Sequence, residues 1–195
     1  DMRVMQVLSN ATNGIAEGEV LQLMNCHDAN LDGAAYLKVI RYKTAKLFEA
    51  AAQLGAIVGG ATAVIEQAMS TYGMRLGTAF QLIDDVLDYS GAELETGKHL
   101  GDDLAEGKPT LPLIFVLQNG TREQAACVRR AIENGGREDL PEVLAAIRAT
   151  GALDYARRKA AGEAERAANA LEALPTSQYK ESLLELCSFA VARSH

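Results

Sequence analysis

A chain of 195 residues suffices for one domain with a substantial core. Its 48% hydrophobic and 23% charged residues exclude a disordered segment. A net charge of −7, with the basic residues scattered, argues against a nucleic-acid surface.

Alanine and leucine dominate and aromatics make up only 5%, a balance that favours helix. Val4, Val7, Leu8, Ala11 and Ile15 recur at spacings of three and four, which predicts a helix over residues 1–24 with Asp1 as a candidate N-cap. Residues 25–33 read as a polar turn. Asp32 then caps a helix that runs to about Val58 and stops at Gly59-Gly60. Further helices are expected over 63–72 and, after Gly73, over 76–89. Residues 91–108 carry four glycines, five acids and two lysines without a clear period, and read as a long functional loop.

Pro109 and Pro112 open a short apolar helix ending near Gly120. Thr121 followed by Gln124 is a capping-box pattern for the next, which stops at Gly135-Gly136. Helices over 139–150 and 152–174 follow, and Pro175 precedes a last one through about Arg193. No alternating strand pattern occurs, so the expected fold is all-α, a single domain over 1–195.

Cys26, Cys127 and Cys187 are far apart and odd in number, with no C-x-x-C pair. They are expected to be reduced thiols packed as small hydrophobes in a cytoplasmic protein. The first residues show no signal-peptide pattern, and none is expected. The weakly apolar run 47–65 contains Glu49, Gln53 and two adjacent glycines, which fits a packed bundle helix and not a membrane span.

The chemistry concentrates in Gln81-Leu-Ile-Asp84-Asp85-Val-Leu-Asp88. Positions 81, 84, 85 and 88 fall on one helical stripe, while Ile83, Val86 and Leu87 mostly lie elsewhere and can enter a core. Three carboxylates on one stripe repel each other. Facing a cavity they require cations, and magnesium suits such a site because it prefers carboxylates, water and phosphate oxygens. For an isolated D-D-x-x-D, a solvated acidic face is the alternative.

Downstream, Gly97-Lys98-His-Leu-Gly101-Asp102-Asp103-Leu-Ala-Glu106-Gly107-Lys108-Pro109-Thr110 is not a P-loop, because it follows a helix and lacks the required lysine–hydroxyl pair. Its glycines permit tight turns, and Lys98 and Lys108 offer mobile charges for phosphate. Upstream, Lys43-Thr44 lies mid-helix, where a lysine and a hydroxyl can bind phosphate oxygens. Alone, such a lysine is usually only a solubilising charge.

Taken in order, Glu17-Gly18-Glu19-Val-Leu-Gln22-Leu, Lys43-Thr44, Gly77-Thr-Ala-Phe80-Gln81 with the aspartates, and the loop through Pro112 closely resemble the trans-isoprenyl diphosphate synthases. The first and third segments are most similar to the long-chain, octaprenyl-forming members. The resemblance covers essentially the whole chain and implies a helical bundle around a central cavity, usually as a homodimer.

It further implies that Asp84, Asp85 and Asp88 hold Mg²⁺ against an allylic diphosphate. Lys43, Thr44, Gln81 and Lys98 would contact that diphosphate, with Lys108 as a further loop lysine. Lys43, Asp84 and Lys98 would carry the catalytic roles, and Glu19 and Gln22 would line the allylic pocket. The implied reaction condenses isopentenyl diphosphate with an allylic primer to a polyprenyl diphosphate, for quinone side chains.

The family's first aspartate-rich motif and the basic residues for isopentenyl diphosphate are not in this sequence. The chain is therefore expected to be the C-terminal portion of a longer protein, with N-terminal helices missing, and inactive alone. A terpene cyclase or head-to-head synthase on the same scaffold, or a non-catalytic regulatory subunit, are the alternatives. The retained aspartates and loop lysines speak against the latter.

Overall fold

The structure is a computed structural model that describes residues 2–90 and 100–193. Among these, every regular element is helical. In chain order they are α1 (Met2–Asn25), α2 (Gly33–Ile40), a π-helical turn (Arg41–Ala45), α3 (Lys46–Val58), α4 (Ala63–Leu87) and α5 (Asp102–Ala105). There follow α6 (Leu111–Asn119), α7 (Arg122–Asn134), α8 (Leu140–Thr150), α9 (Ala152–Ala170), a 3₁₀ turn (Leu171–Ala173) and α10 (Gln178–Ala192).

Local signals set most of the boundaries. The Asp32 carboxylate accepts the Ala35 N–H at 2.7 Å and so satisfies one of the free donors at the start of α2. Thr121 and Gln124 form the reciprocal capping box of α7. Pro112 sits in the first turn of α6, where its missing N–H is harmless.

Three expectations need correction. Residues 63–87 are one helix, not two broken at Gly73. Gly73 and Gly77 are packing residues: a Cβ on Gly73 would lie 2.7 Å from the Glu49 Cα, and one on Gly77 2.7 Å from the Ala45 Cα. Backbone comes so close there that only glycine fits, and the helix passes through both positions intact. The helix expected over 32–58 is interrupted at Arg41–Ala45, where the Lys46 N–H reaches back to the Arg41 carbonyl, five residues earlier. The presumed irregular loop contains the short helix α5, while Asp1 and the 91–99 stretch, with Lys98, lie outside the described residues.

The chain forms two compact units, drawn from within 1–20, 38–81 and 159–193, and from within 21–37 and 82–158. The core of the first is built from small and medium side chains. Tyr72, Leu76 and Ala79 of α4 pack with Ala164 and Ala167 of α9, Leu171, and Cys187 and Ala190 of α10. The Tyr72 hydroxyl donates to the Leu183 carbonyl at 3.1 Å.

The second core is more aliphatic, with Leu104, Leu113, Val116, Val128, Ile132, Val143 and Ile147 enclosed by α5 to α8. Truncating any of its fully buried leucines or isoleucines to alanine would cost about 2–5 kcal/mol. All three cysteines are free thiols, Cys187 among them buried. Among the described residues no helix is long and apolar enough to cross a membrane.

Candidate functional site: a lysine–threonine turn and an acidic helix end

In the first unit the π-helical turn presents Lys43 and Thr44. A π turn widens the helix and re-aims the side chains it carries, and such turns are frequent at functional positions. Two glycines press on it. Gly77 of α4 faces Ala45, and a Cβ on Gly18 of α1 would lie 2.7 Å from the Lys43 Cα. The Thr44 hydroxyl donates to Gln81 Oε1 at 2.9 Å, so the two sequence-predicted diphosphate contacts meet directly.

Lys43 Nζ pairs with Glu19 Oε2 at 3.2 Å, and the Glu19 side chain is 51% exposed. A surface pair of this kind contributes about 0–1 kcal/mol. Behind the turn, Glu163 of α9 is buried and takes Arg75 at 2.9 Å, Arg166 at 2.8 Å and, from the turn itself, Arg41 at 3.7 Å. Gln22, the other residue expected at the allylic pocket, lies in the last turns of α1.

In the second unit, Asp84 and Asp85 occupy the last turn of α4 and Asp88 follows it. Ile83 and Val86 are buried, as their positions off the acidic stripe predict. The three carboxylates have different surroundings. Asp84 is half-buried. Asp85 is only 3% exposed and accepts a 2.5 Å hydrogen bond from the Tyr36 hydroxyl. Burial first, and then the facing Asp85 carboxylate, holds the Tyr36 phenol well above its ordinary range.

Asp88 caps α5: its two oxygens accept the N–H groups of Asp102 at 3.1 Å and Asp103 at 3.2 Å. Burial and the neighbouring Asp103 carboxylate push the Asp88 carboxyl up to about 7, against the pull of those backbone donors.

Lys108 Nζ lies 3.1 Å from Asp103 Oδ1 and 2.6 Å from Glu106 Oε2. Burial works to lower its ammonium, and the two carboxylates outweigh that and leave it above the usual lysine range. Tyr36, the π turn, Glu163 and the capping role of Asp88 escape the sequence reading. The partners lie 49 residues apart for Tyr36–Asp85 and 88 for Arg75–Glu163, so no local pattern announces them.

Among the described residues no group of three or more acidic, histidine or cysteine side chains is gathered to hold a metal ion. Magnesium takes one or two protein carboxylates and otherwise water and phosphate oxygens, and Asp84 and Asp88 have the donor chemistry to hold it. A divalent cation there would offset the like charge that Asp88 meets from Asp103. One oxygen of Asp85 is already engaged by Tyr36.

Residues 1–149 match the Polyprenyl synthetase family. The chain belongs to this family. The octaprenyl diphosphate synthase of Haemophilus influenzae is 50% identical over 195 residues, which are 100% of this chain and 59% of that protein. The octaprenyl diphosphate synthase of Escherichia coli is likewise 50% identical, over 98% of this chain and 60% of its own length. Among solved structures, a polyprenyl synthase from Caulobacter crescentus complexed with calcium and isoprenyl diphosphate superposes with a TM-score of 0.94 at 43% identity. It covers 100% of this chain, which matches 60% of that one. The chain thus spans about three fifths of the length of the relatives it matches. The all-helical fold expected from the sequence is the fold of this polyprenyl synthetase chain.

Proposed function

We propose that the protein to which this chain belongs is a magnesium-dependent trans-polyprenyl diphosphate synthase that condenses isopentenyl diphosphate with an allylic diphosphate. The long-chain product, octaprenyl diphosphate for quinone side chains, is supported by the 50% identity to two octaprenyl diphosphate synthases. The observation that carries the reading is the π-helical turn, with Thr44 bonded to Gln81 and Lys43 paired to an exposed glutamate. A calcium and isoprenyl diphosphate complex of the Caulobacter crescentus protein supports the same ligand chemistry. The family resemblance carries a homodimer and a cytoplasmic location with it.

In this reading Lys43 and Thr44 bind oxygens of the allylic diphosphate, with Gln81 fixing the threonine hydroxyl and Lys98 and Lys108 adding positive charge. Asp84, Asp85 and Asp88 would hold the magnesium, Asp85 with one oxygen already accepting the Tyr36 hydroxyl. When bound, the metal supplies positive charge to the phosphate oxygens as the leaving group departs. The allylic C–O bond breaks, the diphosphate leaves with the bonding pair, and the double bond of isopentenyl diphosphate attacks the allylic carbon. A proton is then lost and the chain is one isoprene unit longer. The protein's part in this reading is electrostatic: its lysines would offset the negative charge that develops on the leaving group.

Radiolabelled isopentenyl diphosphate and an allylic primer, given to the full-length protein, are expected to yield octaprenyl diphosphate. No incorporation, or consumption of the primer without isopentenyl diphosphate, overturns the reading, the latter in favour of a cyclase. The 195-residue chain alone is expected to be inactive, and turnover by it would contradict that expectation.

A further inference from the structure

The Lys108 segment is anchored from behind by a residue with no part in the chemistry above. His27 follows α1 and is the sole non-glycine residue among those described with a positive φ, 64°. Side chains disfavour this left-handed conformation, so something must hold it. Two hydrogen bonds do. The His27 N–H donates to the Gly107 carbonyl at 2.8 Å, and its ring Nδ1 lies 3.0 Å from the Ile132 carbonyl of α7. A carbonyl can only accept, so Nδ1 carries the proton in this contact.

The ring also fills the space over Gly107. A Cβ there would lie 2.9 Å from the His27 Cγ and closer still to other ring atoms, and Gly107 itself has φ 69°. The same ring faces Gly135, and the Gly136 N–H donates to the Ala105 carbonyl at 3.0 Å, tying the end of α7 to α5. On the other side of Gly107, the Lys108 N–H returns to the Asp103 carbonyl at 2.9 Å, and the ammonium pairs with Asp103 and Glu106. The direction of Lys108 is therefore set by the turn through Leu104–Gly107, and that turn is fastened at His27.

We propose that His27 is the positioning residue of Lys108: it touches no substrate and acts by fixing Gly107, so that the lysine ammonium meets the diphosphate in one orientation. This rests on the reading of Lys108 as a diphosphate contact. A side chain misplaced by an ångström loses up to about a hundredfold in rate, so an anchor of this kind has a measurable effect.

The test uses the full-length protein with His27→Ala, Lys108→Ala, the double variant and His27→Asn, each checked for folding by circular dichroism. His27→Ala is expected to raise the KM for the allylic diphosphate about tenfold, with a smaller fall in kcat. It should add nothing in the Lys108→Ala background, because both act through one group. Asparagine tolerates the left-handed conformation and should restore part of the loss. Amide exchange at 103–108 should quicken in His27→Ala whether or not substrate is present.

A silent Lys108→Ala overturns the reading on which the proposal rests. An unchanged KM in folded His27→Ala beside an impaired Lys108→Ala overturns the proposal itself. So do losses that multiply in the double variant.

Discussion

Around Lys43 and Thr44 the first unit brings backbone against backbone, whereas around Asp85 and Asp88 the second unit sets polar side chains on buried partners. In the first region the sites of close approach are glycines, Gly18 and Gly77, and Lys43 pairs with an exposed glutamate. In the second, Asp85 is committed to Tyr36 and Asp88 to the first two N–H groups of α5. In the proposed reading the contrast separates two tasks. Lys43 would exchange an exposed ion pair for a phosphate oxygen, on a turn fixed by close backbone packing. Asp85 and Asp88 would be kept in place beside like charges by the Tyr36 hydroxyl and the α5 amides.

The most severe way to break this comparison is to remove a ligand from either side. Lys43→Ala or Asp84→Ala in the full-length protein should slow condensation by roughly 10²–10³-fold, the scale for losing one preorganised electrostatic contact, and leave the unfolding midpoint unchanged. Normal rates in either variant would count against the assigned site. Next comes volume. Gly18→Ala should destabilise by about 1–3 kcal/mol through overpacking on the turn. Gly162→Ala, where nothing stands within 4 Å, should be harmless or stabilise by roughly 0.5–1 kcal/mol, and denaturant titration measures both.

Tyr36→Phe removes the hydroxyl that donates to the buried Asp85 and should cost about 1–3 kcal/mol by the same measurement. The smallest effect is expected from Thr44→Val, which loses one neutral hydrogen bond worth about 0.5–1.5 kcal/mol and should raise the allylic KM by only a few fold. If Thr44→Val were instead as damaging as Lys43→Ala, the hydroxyl would matter as much as the lysine charge, against this account.

What could be read in the sequence was what is decided locally. Asp32 and Thr121–Gln124 announce helix starts because their partners are three residues away, and the acidic stripe of Asp84, Asp85 and Asp88 follows from helical spacing alone. Gly73 was misleading because a glycine that ends a helix and one that admits a neighbour's backbone look alike until that neighbour is present. The π turn was invisible for a related reason: its extra residue relates to the fit of α1 and α4 around it, not to the composition of Arg41–Ala45. Nor could spacing distinguish the three aspartates, since Tyr36 and the α5 amides reach them from far along the chain. Lys98 lies outside the described residues and stays a proposal from resemblance.

The most direct test is a crystal structure of the full-length protein with magnesium and an unreactive allylic thiolodiphosphate. The account predicts diphosphate oxygens within hydrogen-bonding distance of Lys43 Nζ and Thr44 Oγ1, with a metal ion on Asp84. A diphosphate seated away from the π-helical turn, with Lys43 still paired to Glu19, would contradict it.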